Sequence, residues 1–280
     1  MLLIIGAVTY LFLSGKEEKA SNEPIAPEES IVENEVTPPA DEVPVVEKEE
    51  RGKETIIGSS VSGKEIVAYH LGKGETEILL IGGSHGSYSP NTSALANETI
   101  TYFNENPGAI PENITLTVIP NLNADGLALS GTVGRFNANK VDLNRNFDCE
   151  WEATGTWQNK EVSGGSKAFS EPEAAALRDY IENNDPTAAI VLFSAEGKVY
   201  PSACGETPSK ASTELANTYG KAAGYSVDAE FDAYSITGDM VNWMAKEGIP
   251  AISVLLTDHK TTEWTKNKAG IEAVLKAYSE

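Results

Sequence analysis

The sequence predicts one α/β domain with a mixed, largely parallel central sheet and helices on both faces. Two observations carry this. First, short apolar runs that lack polar alternation recur between longer amphipathic stretches, and strands buried on both faces read this way. Second, residues 55–280 amount to about 226 residues without an internal repeat, a length that suits one α/β domain.

In chain order, Glu77 to Gly83 (EILLIGG) is a buried strand closing in a glycine turn, and Asn91 to Phe103 is a helix. Ile114 to Pro120 is a second strand. Glu171 to Asn184 is a helix, with Ser170 as its expected cap and Glu173 completing a capping box. Ala188 to Ala195 is a third strand, and Lys210 to Ala223 is a helix capped by Ser209. Asp239 to Glu247 is a short helix, Pro250 to Leu256 a fourth strand and Thr265 to Tyr278 a closing helix. Ligands in such sheets bind beyond the carboxyl ends of the strands. His85, Arg135, Asn144, Phe193, Ser194 and Leu255 all fall at or just past those ends.

The N-terminal part has a different composition. Residues 2–13 (LLIIGAVTYLFL) are apolar apart from Thr9 and Tyr10. The run is shorter than the roughly 20 residues of a spanning helix, and it has neither a basic flank before it nor a small-residue cleavage site after it. An uncleaved anchor, a signal peptide and a trimmed anchor all fit, and each exports the chain, so the expected location is extracytoplasmic, anchored or secreted. Residues 16–54 hold 13 acidic and 5 basic residues with recurrent prolines. Such a segment buries too little apolar surface to offset its ordering entropy and is expected to be an extended tether. The expected organisation is therefore an apolar segment at 1–15, a linker at 16–54 and a folded domain at 55–280.

The whole chain carries 21 basic against 42 acidic residues, a net charge of −21. This excludes nucleic-acid binding, which needs a basic face, and confines any membrane contact to the N-terminal run.

The most distinctive stretch runs from Gly126 to Trp151 (GLALSGTVGRFNANKVDLNRNFDCEW), with Arg135 nine residues ahead of Asn144-Arg145-Asn146. Guanidinium forks match a carboxylate bidentately, and an Arg beside an Asn can bond an oxygen that becomes negative in acyl transfer. By itself the pattern also fits a surface loop held by Asx-turns.

Together with NADG (Asn123 to Gly126), this stretch resembles the zinc carboxypeptidases, the carboxypeptidase A-like metallopeptidases. Ala124 stands where that family usually has proline. Further matches follow in order: GGSHGSY (Gly82 to Tyr88), SEPE (Ser170 to Glu173), SAEGKVYPS (Ser194 to Ser202), YSITGDMVNW (Tyr234 to Trp243) and GIPAISVLLTDH (Gly248 to His259). The resemblance covers residues 55–280 and implies that family's fold.

It also implies a zinc site with two His, one Glu and an open position for water, plus a carboxylate to move protons. Only His85 is present. Tyr88 or Ser89 occupies the glutamate ligand's place, Phe193 replaces the second histidine, and Leu255 replaces the catalytic glutamate. Rescue would have to come from His70, His259 or Glu196. The expectation is an inactive relative without a cofactor, or, if ligands are relocated, an active zinc metallocarboxypeptidase.

The substrate side is retained. The resemblance gives Asn144, Arg145 and Tyr234 a terminal carboxylate to grip and gives Arg135 the carbonyl, so the expected partner is a peptide or peptidoglycan-stem C-terminus. A tethered structural or interaction domain is the remaining alternative. Cys149 and Cys204 each follow a motif that the family brings to the site rim, and in an exported chain they are expected to form a disulfide.

Overall fold

The computed structural model describes residues 52–205 and 207–280. The expected apolar segment at 1–15 and nearly all of the linker at 16–54 lie outside the described residues.

The described elements are β1 (Glu54–Ser59), β2 (Glu65–Gly72), β3 (Thr76–Ile81), α1 (Pro90–Glu105), β4 (Ile114–Ile119), α2 (Ala124–Leu127), β5 (Thr154–Trp157), β6 (Lys160–Ser163), α3 (Pro172–Asn184), β7 (Ala188–Ser194), β8 (Lys198–Pro201), α4 (Lys210–Ala223), β9 (Ser226–Val227), α5 (Met240–Lys246), β10 (Ala251–Leu256) and α6 (Trp264–Ala277). Among the described residues, eight strands form one sheet in the order β1-β2-β4-β3-β7-β10-β8-β9. Its centre, β4-β3-β7-β10, is parallel throughout. The antiparallel strands β2 and β8 flank that centre. This is the mixed α/β sheet the sequence predicts.

Alternation along β3 divides the core. Ile78 and Leu80 pack with Leu95 and Phe103 of α1, Tyr219 of α4 and Ile271 of α6. Leu79 and Ile81 pack on the other face with Leu177 of α3 and Trp243 and Met244 of α5. A one-residue slip of β3 would exchange the two layers, so burial on both faces fixes its register.

The structure differs from expectation at several points. β1 begins at Glu54, the last residue assigned to the linker. The strands outside the parallel centre, β1, β2, β8 and β9, and the hairpin β5–β6 are not among the elements assigned from the sequence. β2 alternates in burial although its sequence, EIVAYHLG, does not alternate in polarity. Ser170 does not cap α3. Pro172 takes the first helical position, Glu171 becomes the N-cap and its side chain makes no cap bond. Glu173 is fully buried and instead accepts from the Val61 N–H and the Asn137 Nδ2. Ser209 does cap α4, accepting from the Ser212 N–H.

Candidate functional site

The parallel strands β3, β7 and β10 end at a common rim, and a cavity of about 1280 Å³ opens there. His85 reaches it from the turn after β3. Gly86 makes that turn possible: its φ is +44°, and a Cβ would sit 2.5 Å from the Gly126 carbonyl carbon and from the Gly134 oxygen. Asn123 holds the opposing segment. Its Oδ1 accepts from Gly126 N at 2.8 Å, and its Nδ2 donates to the Arg135 carbonyl at 3.2 Å. The NADG motif is thus a brace for the loop that carries Arg135.

Arg135 is committed to a buried ion pair. Its Nε and Nη2 donate to Oδ2 of Asp142 at 2.9 and 2.7 Å. The guanidinium carbon lies 4.6 Å from the centre of the Trp157 ring and 5.7 Å from that of Tyr88. The other carboxylate oxygen of Asp142 accepts from the Asn144 N–H and lies 3.4 Å from Nε2 of His85. Burial works to raise the Asp142 carboxyl, but the charge of Arg135 and the approach of the His85 imidazole hold it well below the usual carboxylate range. Burial, with Arg135 adding to it, lowers His85 to about 4. The imidazole is therefore neutral at pH 7.

Arg145 differs. Its Nη1 donates to the Asn144 carbonyl at 2.6 Å, and Nε and Nη2 donate to the Thr156 carbonyl at 3.2 and 2.8 Å. Among the described residues it forms no ion pair. A guanidinium has five N–H donors, so these carbonyls leave two, on the side of the Tyr234 hydroxyl and the cavity. The guanidinium carbon sits 6.0 Å from the centre of the Tyr234 ring. Asn144 donates through Nδ2 to Asp239 at 2.7 Å and accepts through Oδ1 from Met240 N at 3.2 Å. Gly238 lets the Tyr234–Asp239 loop approach. Its φ is +64°, and a Cβ there would lie 2.3 Å from the Arg145 carbonyl oxygen. The third member of the NRN run, Asn146, does not line the cavity and ties Gly164, Lys167 and Ser170 together.

The sheet sets two of the replaced positions side by side. Leu255 and Phe193 are direct partners across β10 and β7. The Phe193 ring lies 5.5 Å from the His85 ring, centre to centre. Tyr88 lines the cavity, whereas Ser89 is fully buried and bonds Nδ1 of His259 at 3.1 Å. The three candidate rescuers do not assemble. His70 lies on β2 between the hydroxyls of Thr55 and Thr117 and does not line the cavity. Glu196 pairs with Lys198 at 3.4 Å, and the His259 ring lies 4.5 Å from that of Tyr88, centre to centre, tilted by 56°. Among the described residues no group of three or more His, Cys, Asp or Glu side chains could hold a metal ion. One neutral imidazole, a carboxylate already neutralised by Arg135 and two apolar side chains do not make a zinc donor set.

Cys149 and Cys204 form the expected disulfide, with Cα atoms 5.8 Å apart. The sequence reading missed Asp142, Trp157 and Asp239. Asp142 stood inside the quoted motif. Asp239 carried a local signal, an N-cap aspartate with Asn242 three residues on. Trp157 reaches the site through the hairpin, which no periodicity announces.

Comparison with known proteins agrees with this architecture. The sequence profile of the family described as zinc carboxypeptidase matches residues 47–277. A zinc carboxypeptidase of Simulium vittatum is 26% identical over 232 residues, 71% of this chain and 76% of that protein. Murein peptide amidase A of Vibrio campbellii is 26% identical over 213 residues, 72% of this chain and 78% of that one. The inactive metallocarboxypeptidase ecm14 of Talaromyces marneffei is 25% identical over 154 residues, 45% of this chain and only 26% of its own length. Among solved structures, bovine thrombin-activatable fibrinolysis inhibitor in complex with tick carboxypeptidase inhibitor superposes with a TM-score of 0.66 at 20% identity, covering 81% of this chain and 88% of that one. The murein-tripeptide amidase of Escherichia coli O157 superposes with a TM-score of 0.59 at 17% identity, covering 80% and 91%. By its sequence profile and its fold, the chain belongs to the zinc carboxypeptidase family.

Proposed function

We propose that this chain is an exported carboxypeptidase-like domain without hydrolytic activity, and that its cavity binds the free C-terminus of a peptide or of a peptidoglycan stem. One observation carries the reading: Arg145 lines the cavity beside Tyr234 with donors to spare and no carboxylate partner among the described residues. Against hydrolysis stand Phe193 and Leu255, which put apolar bulk where a hydrated dication and a proton-moving carboxylate would be needed. The similarity to a protein named inactive metallocarboxypeptidase and to a murein peptide amidase is consistent with both halves of the reading. The disulfide supports export, because such bonds persist in oxidising compartments. The N-terminal apolar run is the proposed membrane contact.

The test is calorimetry with a peptide bearing a free C-terminal carboxylate and with its amide. The acid binds and the amide does not; equal affinities refute the proposal. Arg145→Ala weakens acid binding by roughly 1.5–3 kcal/mol, the scale of a charged hydrogen bond. The family's zinc dependence favours one competing reading, an active enzyme with relocated ligands. That reading requires near one zinc per chain and chelator-sensitive hydrolysis. A purely structural domain would instead respond to Arg145→Ala in stability alone.

A further inference from the structure

The start of α3 buries two carboxylates that no cation compensates. Glu171 and Glu173 are 5% and 0% exposed, and among the described residues neither forms an ion pair. Both lean on one amide: Nδ2 of Asn137 donates to Oε2 of Glu171 at 2.7 Å and to Oε2 of Glu173 at 3.1 Å. Two carboxylates held this way repel, and burial adds to the cost of ionising both.

The pair is unequal. Glu171 also accepts from Nδ2 of Asn139 at 2.8 Å and from the Ser170 hydroxyl at 2.8 Å. Glu173 reaches across to another segment and accepts from the Val61 N–H at 3.1 Å. Burial, joined by the charge of Glu171, pushes the Glu173 carboxyl up, against the pull of its own N–H, the Asn137 amide and the Val61 N–H. The remaining charged groups nearby are engaged or turned outward. Asp125 of α2 accepts from the N–H of Ser62, the next residue of the β1–β2 turn, at 2.9 Å, and Lys64 lies 3.4 Å from its other oxygen. Arg135, two residues before Asn137, is bound to Asp142. Arg178, further along α3, pairs with Asp179 and Glu182. Lys140 and Lys167 are exposed.

What the pair holds lies behind the cavity. Oδ1 of Asn137 accepts from the Asn139 and Val141 N–H groups at 3.1 and 3.0 Å, closing the turn that joins Arg135 to Asp142. The Glu171 N–H donates to Oδ1 of Asn146, one residue past Arg145, at 3.0 Å.

We propose that Glu171 and Glu173 form a proton-sharing latch: with one proton between them they clasp α3, the β1–β2 turn and the Asn137–Val141 turn together, and with both ionised they slacken. The proton comes from water and returns to it as pH rises. Protonated Glu173 offers an O–H that the Glu171 carboxylate accepts, while its other oxygen keeps the Val61 N–H. The folded chain holds a proton that the unfolded chain has lost. This contribution to stability is therefore complete below the ordinary value of 4.5 and is lost as pH rises through the raised one. The sign is opposite to that of His85, whose proton the fold expels. The latch requires neither an occupant of the cavity nor a metal.

The test is carboxyl-carbon NMR of the full chain carrying isotope-labelled glutamate, with the Glu173 signal identified by its loss in Glu173→Gln. Its midpoint lies above 4.5, and Glu171→Gln, which removes the repelling charge, moves it back toward 4.5. A wild-type midpoint at or below 4.5 overturns proton sharing. A raised midpoint that Glu171→Gln leaves in place overturns the role of Glu171. Hydrogen exchange of the Val61, Asn139 and Val141 amides then reads the clasp. Glu173→Gln keeps an oxygen for Val61 and stands in for the protonated carboxyl. From about pH 5 to about pH 8, wild-type protection falls relative to that variant by about tenfold for each unit by which Glu173 is raised, while the α4 amides keep pace. A ratio of wild-type to variant protection that is the same at both pH values overturns the clasp.

Discussion

Replacing Asp142 with leucine should be among the most damaging single changes in this domain, and pairing it with Arg135→Met should undo most of the damage. Asp142 is fully buried and Arg135 is 3% exposed, and two bonds of 2.9 and 2.7 Å join them. Removing one partner leaves the other charge in a site closed by Trp157, Tyr88 and Phe193. Breaking a buried pair in this way typically costs about 3–5 kcal/mol, whereas replacing both partners with apolar side chains is often close to neutral. Asp142 also accepts from the Asn144 N–H at 3.2 Å, so the double variant keeps a deficit of about 1 kcal/mol. Each single variant should lose roughly 3–5 kcal/mol and the double variant roughly 1–2, a coupling of several kcal/mol. The assay is urea unfolding of the oxidised protein at pH 7.5, followed by tryptophan fluorescence. Additive losses, or single losses below about 1 kcal/mol, would refute the assignment of Arg135 as the internal counter-ion of Asp142.

Three further outcomes follow from the same geometry. His85 titrates near 4 in the fold against 6.5 for the ordinary group, so the unfolded chain binds the extra proton and stability falls as pH drops through that window. By linkage the His85 contribution at pH 5 is ~2 kcal/mol below its value at pH 7.5. Unfolding curves of His85→Gln should lack that increment of slope; equal slopes would contradict a neutral buried imidazole. The Cys149–Cys204 bridge has a sequence separation of 55. Chain entropy assigns such a loop about 4 kcal/mol, and Cys149→Ser/Cys204→Ser should lose up to that amount in the same assay. Gly238→Ala forces a Cβ to 2.3 Å from the Arg145 carbonyl oxygen at a positive φ. It should cost roughly 1–3 kcal/mol and weaken binding of free-acid peptides. Unchanged binding would separate the loop from the carboxylate grip.

The sequence alone determined the strands β3, β4, β7 and β10, because runs such as EILLI and AAIVLF admit no other burial, and the helices α1, α3, α4, α5 and α6 between them. It also named the residues that stand where the resemblance would put zinc ligands and a catalytic glutamate, since Tyr88, Ser89, Phe193 and Leu255 are visible without coordinates. The boundary of α3 escaped it because one proline outweighed a plausible capping box. The outer strands β1 and β2 escaped because their pattern follows from what β4 and α3 cover, not from their own polarity. Only the tertiary structure decided which arginine is occupied. Arg135 and Arg145 look alike in the sequence, yet a turn brings Asp142 to the first, while the second has no carboxylate partner among the described residues and donates to the Asn144 and Thr156 carbonyls. The pairing of Asn144 with Asp239, separated by 95 residues, likewise depends on the fold, which brings the start of α5 against the loop that carries Asn144. Local periodicity records which face of an element meets the core. The charge state and freedom of a side chain in the cavity depend on neighbours that only the folded chain supplies.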